Sequence, residues 1–342
     1  MKRQRRTVSD FLKQVEGLPI LDVRSPAEFE IGHIPSAISF PLFSNEERAV
    51  VGTLYKQEGR QPAIKKGLEI IGPKMVAFIE QAEQLKSSTL ALYCWRGGMR
   101  SDSMAWLLER YGFQTILLEG GYKAYRNAML DFFKQELPLR VIAGYTGSQK
   151  TRLLHILREK GEQVVDLEGM AGHQGSSFGN QKSESQPTTE QFQNQLFHFF
   201  RNTDLSRPIW IEDEDMRLGT VNMTEGLFRQ INASPHVFIK VKKAQRIDFL
   251  VKDYGMLEKE KLIKATYYIR KRLGFDRAKK AIAHIEAGNL KPAVDIILNY
   301  YDRRYDKALE RKAHLVKARL SIDTENLEAL ADELIKKTKH EV

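Results

Sequence analysis

Apolar residues in this chain follow two rhythms. Short dense runs occur at residues 19–23, 89–93, 139–143, 163–167, 208–211 and 236–241. Runs of that length and density predict strands buried on both faces. Between them the spacing turns helical: Val8, Phe11, Leu12 and Val15; Met104, Leu107 and Leu108; Met129, Phe132, Phe133 and Leu137; Leu153, Leu154, Ile156 and Leu157; Phe192, Leu196 and Phe199. Helices are therefore expected over 8–15, behind residue 100, over 126–137 ending before Pro138, behind Lys150 and behind Pro187. Strands alternating with helices predict an α/β fold with parallel sheets. From Ala244 onward the pattern is helical only, so 236–241 is expected to be the last clear strand. Three regions follow: 1–130, a first α/β domain; 131–245, a second; and 246–342, a helical region.

Charge changes this picture. The net charge is +10, yet residues 240–320 alone hold 22 Lys/Arg against 10 Asp/Glu. The helical region is thus the basic part, and a polyanion, most simply a nucleic acid, is the partner it suits. Solvated helix faces would show the same excess. Aromatics are interleaved there (Phe249, Tyr254, Tyr267, Tyr268, Tyr300, Tyr301, Tyr305), as core packing or as surfaces for stacking bases. Composition is that of a soluble globular protein, with 42% hydrophobic and 29% charged residues. One cysteine excludes an internal disulfide. No run is apolar enough to span a bilayer, and the basic start lacks the apolar stretch of a signal peptide. A cytoplasmic monomer without membrane contact is the simplest expectation.

That cysteine lies in Tyr93-Cys94-Trp95-Arg96-Gly97-Gly98-Met99-Arg100-Ser101, between a strand and a helix. Inward-pointing N–H groups of Trp95, Gly97, Gly98, Met99 and Ser101, with a helix start behind them, make an anion cradle. Arg96 and Arg100 add charge. The expected chemistry is a Cys94 thiolate attacking a substrate that carries a phosphate-like group.

Two further stretches flank this loop: Asp22-Val23-Arg24-Ser25-Pro26-Ala27-Glu28-Phe29 with Gly32-His33-Ile34-Pro35, and Leu118-Glu119-Gly120-Gly121-Tyr122. Together the three resemble the ordered signatures of the rhodanese family, which implies an α/β domain with Cys94 where that family keeps its nucleophile. The loop is one residue longer than the common rhodanese pattern. Its Cys-x5-Arg-Ser spacing is shared with cysteine-dependent phosphatases. Asp22, Arg24 and His33 stand either as assistants to the chemistry or as structural groups. The basic insert near residues 45–72 is either surface elaboration or a substrate-facing segment.

In the second domain a strand leads into Gly144-Tyr145-Thr146-Gly147-Ser148-Gln149-Lys150-Thr151 and a helix, the context a P-loop needs. Backbone N–H groups from Gly144, Thr146, Gly147 and Ser148, with Lys150, would grip a diphosphate, and Thr151 could hold a magnesium ion. Gln149 stands where the pattern has glycine. A Cβ there predicts strain or a shifted loop. Beyond the next strand, a loop rich in small polar residues holds His173, Ser176 and Ser177. Glu212, Asp213 and Glu214 end the strand after it, either at the phosphate site or as a solvated strand end. No resident metal or tightly bound cofactor is expected.

A rhodanese domain joined to this P-loop, with Glu168-Gly169-Met170-Ala171-Gly172-His173, Trp210-Ile211-Glu212-Asp213-Glu214, Asp253-Tyr254-Gly255 and Tyr300-Tyr301-Asp302, resembles the bacterial tRNA 2-selenouridine synthases. Departures are Gln149, Gln174 for arginine and Arg303 for proline. The resemblance implies a transferase that replaces the sulfur of wobble 2-thiouridine in tRNA with selenium from selenophosphate. An S-geranyl intermediate made from geranyl diphosphate is also implied. Cys94 would carry selenium as S-selanylcysteine, Arg96 and Arg100 would stabilise the departing oxyanion, and the P-loop would bind the diphosphate. A cysteine-dependent phosphatase, a plain sulfurtransferase and an NTPase with a regulatory rhodanese module are the other readings.

Overall fold

The computed structural model describes residues 4–173, 186–255, 257–322 and 326–339. The chain divides into two compact units, Met1–Phe132 and Phe133–Val342. The first contains β1 (Gln4–Arg6), α1 (Val8–Gln14), β2 (Ile20–Asp22), α2 (Pro26–Ile31), β3 (Ile38–Ser39), α3 (Asn45–Gln57), α4 (Arg60–Ile71), α5 (Met75–Glu83), β4 (Thr89–Tyr93), α6 (Met99–Tyr111), β5 (Gln114–Leu118) and α7 (Gly121–Phe132). Its five strands pair in the order β1-β5-β4-β2-β3, all parallel. Leu90 and Leu92 of β4, Leu117 of β5, and Met104 and Leu108 of α6 are fully or nearly fully buried in one core. Each such side chain stabilises the unit by roughly 1.5–3 kcal/mol relative to exposure. The helix expected over 126–137 instead starts at Gly121 and stops at Phe132. Gly121 takes the turn, and Tyr122 and Tyr125 bury the face of its first turn.

The second unit holds β6 (Leu139–Gly144), α8 (Lys150–Glu159), β7 (Gln163–Val165), α9 (Leu167–Ala171), α10 (Thr189–Arg201), β8 (Ile209–Glu212), β9 (Arg217–Leu218), β10 (Val221–Asn222), α11 (Glu225–Ile231), β11 (His236–Val241), α12 (Lys243–Tyr254), α13 (Lys259–Tyr268), α14 (Arg270–Leu273), α15 (Phe275–Glu286), α16 (Leu290–Arg311), β12 (Val316–Ile322) and α17 (Leu327–Lys339). Its parallel sheet runs β12-β11-β6-β8-β7. From central β6 the chain runs out to edge strand β7, returns to β8 beside β6, and crosses to β11 and β12 on the other side. The loops beyond β6 and β8 thus lead to opposite sides, and the gap between these strands is the switch point where open α/β sheets bind ligands.

The all-helical tail does not hold to its end. Helices α12 to α16 form an arm with its own core, and the chain then returns to the sheet as β12. Val316, Ala318 and Leu320 of β12 are partly buried while Lys317, Arg319 and Ser321 are exposed. That period of two is a half-buried edge strand whose solvent face carries basic residues, so it reads like the basic arm before it. Leu327, Leu330, Ala331 and Leu334 of α17 then join Leu153, Leu154 and Leu157 of α8 in the sheet's core. Among the described residues, no helix is long and apolar enough to cross a membrane.

Candidate functional site

Cys94 follows the last residue of β4, and Gly98 caps the start of α6. The side chain is 3% exposed. Its Sγ accepts the Gly98 N–H at 3.4 Å, and the Ser101 hydroxyl lies 3.3 Å from it. The loop is clamped from behind. N–H groups of Tyr122 and Lys123, in the first turn of α7, donate to the Cys94 and Trp95 carbonyls at 2.9 and 3.0 Å. Arg5 donates to the Gly97 carbonyl at 2.8 Å and pairs with Asp102 at 2.6 Å. Gly97 has φ +62°, and a Cβ there would stand 2.7 Å from the Leu118 carbonyl. Glycine is therefore required by both conformation and space.

Asp22 and Arg24 do not reach the thiol. They form a buried pair, 2.5 Å apart, with Arg24 also donating to the Gly32 carbonyl at 2.6 Å. The guanidinium lies 3.8 Å from the centroid of the Tyr122 ring. Through Tyr122 the pair braces the turn that clamps Cys94. His33 stacks on Phe29, with centroids 3.8 Å apart.

Arg96 is exposed beside Cys94. Arg100 is tied down: it donates to both carboxylate oxygens of Glu28, at 2.6 and 3.3 Å. Burial pushes the Glu28 carboxyl up, but Arg100, the Ser25 N–H and Arg48 outweigh it and hold it below its ordinary range. In the space before Cys94 lies a cavity of about 710 Å³ lined by Arg48, Gly52, Tyr55, Lys56, Trp95, Arg96, Gly98, Met99 and Arg100. The insert therefore faces the thiol: α3 supplies Arg48, Tyr55 and Lys56. An adjoining apolar cavity of about 470 Å³ shares Val51, Tyr55, Met99 and Arg100 with the first and is walled by Phe43, Ile64, Leu68, Ile71, Met75, Phe78 and Trp106. Glu28, Arg48 and Lys56 went unread as site residues. For Arg48 and Lys56 the sequence signal was the basic character of the insert, and Glu28 stood unsingled in the Asp22–Phe29 stretch.

The second unit's site surrounds the P-loop, in a cavity of about 420 Å³ lined by Thr146, Gly147, Ser148, Lys150, Thr151, Glu168, His173, Glu214 and Tyr305 among others. Gln149 neither displaces the loop nor takes an ordinary conformation. It sits left-handed at φ 59°, ψ 34°, as glycine would, and its Oε1 accepts from Arg152 at 3.2 Å. Lys150 donates to the Gly144 carbonyl at 3.2 Å, and Thr151 donates to Glu168 Oε2 at 2.8 Å. Glu212, wholly buried, accepts the Glu168 N–H at 3.0 Å through one oxygen, and its other oxygen has no partner among the described residues. Burial, then the Glu168 charge, raises the Glu212 carboxyl to about 8. Burial and neighbouring carboxylates also raise Glu214 well above its usual range, despite Lys150. Burial disfavours the Lys150 ammonium, but Tyr305, Glu214, Glu168 and Glu212 outweigh it, so its charge is held strongly.

Asp213 turns away from this cavity to Lys312, 2.5 Å distant, and to His236 at 3.7 Å. Burial works against its charge, but both partners hold its carboxyl low. Glu214 is the acid from that strand end that lines the cavity. His173 lines it too, with Nδ1 unpartnered among the described residues and burial lowering its basicity. Ser176, Ser177 and Gln174 lie outside the described residues. No described His, Cys, Asp or Glu side chains gather in threes fit to hold a metal. The arm packs on the loop itself: Arg246 donates to the Thr146 carbonyl at 3.1 Å and pairs with Asp302 at 2.7 Å, and Tyr305 places its ring 5.7 Å from Lys150.

Two family models match the chain. A rhodanese-like domain covers residues 7–128, and the tRNA 2-selenouridine synthase AAA domain covers 137–337. Proteins named tRNA 2-selenouridine synthase are similar over most of the length. That of Psychromonas ingrahamii is 33% identical over 88% of this chain and 90% of its own. That of Marinobacter nauticus is 33% identical over 86% and 89%. That of Shewanella denitrificans is 32% identical over 88% and 91%.

Proposed function

The chain belongs to the tRNA 2-selenouridine synthase family, and from that premise we propose that it converts 2-thiouridine in tRNA to 2-selenouridine, with Cys94 as the nucleophile. The observation that carries the assignment is the placement of Cys94. Its Sγ accepts a backbone N–H at the mouth of a cavity lined by Arg48, Lys56, Arg96 and Arg100. Such a cavity suits a tetrahedral dianion such as selenophosphate.

The thiolate attacks the phosphorus of selenophosphate. The S–P bond forms, the Se–P bond breaks, and the bonding electron pair leaves on selenium as selenide. Arg96 is free to meet the phosphoryl oxygens at once, whereas Arg100 must exchange Glu28 for them. The selenide attacks C2 of the nucleobase, and water takes the phosphoryl group from Cys94 as phosphate. S-selanylcysteine would instead require attack on selenium, which leaves the bonding pair on phosphorus and releases phosphite.

Sulfur is a poor leaving group while it is part of a thiocarbonyl. S-geranylation from geranyl diphosphate converts it to a thioether on an electron-poor carbon, which leaves readily. Two features support that intermediate: the P-loop, where Gly147, Ser148, Lys150 and Thr151 suit a diphosphate, and the apolar cavity next to Cys94, which suits a ten-carbon chain. Thr151 and Glu168 offer hard oxygen donors that fit magnesium, which would neutralise the diphosphate. The basic arm supplies charge for the tRNA backbone.

The test is to incubate the protein with wobble-thiolated tRNA, geranyl diphosphate and selenophosphate and to analyse the nucleosides by mass spectrometry. Wild type yields selenouridine, and Cys94→Ser yields none. Selenouridine from the serine variant would refute the nucleophile.

A further inference from the structure

The arm carries an aromatic surface that none of the three cavities above uses. Tyr267 and Tyr268 end α13, Phe275 opens α15, and the four-residue α14 joins them. They are exposed at 53%, 69% and 66%. These helices already bury their apolar stripes: Leu262, Ala265, Ile269, Leu273, Ala278 and Ala281 lie in the arm's core. The three rings therefore stand on the solvent side within the short stretch 267–275, and large exposed rings gathered in one stretch point to a binding surface.

Its surroundings are cationic. Residues 257–291 hold ten Lys/Arg against four Asp/Glu. Lys264, Lys271, Arg272, Arg277, Lys279 and Lys280 are exposed, and among the described residues none of them pairs with a carboxylate. The Arg270 guanidinium lies 3.7 Å from the centroid of the Tyr267 ring, a flat cation already stacked there.

Resting on the tRNA reading above, we propose that Tyr267, Tyr268 and Phe275 form a stacking platform for unpaired nucleobases, with the surrounding cations on the intervening phosphates. Charge complementarity selects a polyanion, and the ring faces select one with exposed bases. A membrane surface would call for a continuous apolar face, and these helices turn theirs inward.

The test measures equilibrium binding of the full chain to an unstructured RNA oligonucleotide, to an RNA duplex of equal length and to phosphatidylserine vesicles. Tyr268→Ala and Phe275→Ala are each expected to weaken single-strand binding roughly 5- to 100-fold. Both should leave duplex binding within about twofold and the salt slope unchanged. Tyr268→Trp should restore single-strand affinity. The pair Lys279→Ala/Lys280→Ala should weaken both RNAs and flatten the salt slope by about one to two. Circular dichroism melts confirm that each variant is folded. Alanine variants that bind the single strand like wild type, lose strand and duplex equally, or lose only vesicles would overturn the platform. Nucleoside analysis keeps the two readings separate. Wild type that binds unpaired bases through these rings but makes no selenouridine would sink the activity and leave the platform standing.

Discussion

Gln149 shows how a single side chain can depart from a motif without breaking it. A left-handed conformation costs a residue with a Cβ about 1–2 kcal/mol, yet the loop keeps its shape because β6 and α8 hold it on either side. Gln149→Gly should relieve that strain. The gain is about 1 kcal/mol, or roughly 2–4 °C in the melting temperature of the second unit, readable by calorimetry. Glu212 makes a pH-dependent contribution. Its folded-state pKa, about 8, lies above the unfolded value near 4.5. Between those values the folded chain keeps a proton that the unfolded chain has released. Stability linked to this group is complete below about pH 4.5 and is lost as pH rises through about 8. Glu212→Gln keeps an acceptor for the Glu168 N–H but cannot ionise. Thermal melts from pH 5 to 9 should be flatter for this variant, with the gain over wild type largest at pH 9. An equal slope in both proteins would discard Glu212 as the source.

At the scale of elements, what was legible depended on whether a feature is local. The Cys94 turn reads directly, because strand, cysteine, glycines and helix are consecutive. The wall that α3 and α4 build before it does not, because Arg48 and Lys56 look like any solvated helix face until the helices are placed over α6. The Glu28–Arg100 pair spans 72 residues of sequence, and no spacing rule reaches that far. β12 was missed because its exposed half is basic, although its period of two was present. The wall makes its own prediction. Val51 lines both cavities of the first unit. Val51→Trp should fill the apolar one, cutting selenation of pre-geranylated tRNA at least tenfold while leaving geranylation itself within about twofold. Mass spectrometry of each step separately decides it, and an equal loss in both steps would argue against the cavity as the seat of the alkyl chain.

At the scale of the whole molecule, two sites with opposite character sit in separate units. The first gathers cations around the Cys94 thiol, and the second surrounds one lysine with glutamates. The alternation of dense apolar runs and helical spacing was enough to read β2 and β4 of the first sheet and β6, β7, β8 and β11 of the second, since buried parallel strands have no polar face to disguise them; β1 and β3 went unread because they are short and mostly exposed, and β5, although buried, went unread as well. It was not enough to read the arm as an interruption, because a long helical excursion looks terminal until the strand that closes it is recognised. That interruption has a consequence for synthesis. β11 gains its outer neighbour only after residues 242–315 have been made. At about 5–20 residues per second, the nascent sheet waits several seconds with an open flank. A message cut short within the arm would leave that flank bare for good, an invitation to pair with another unfinished copy.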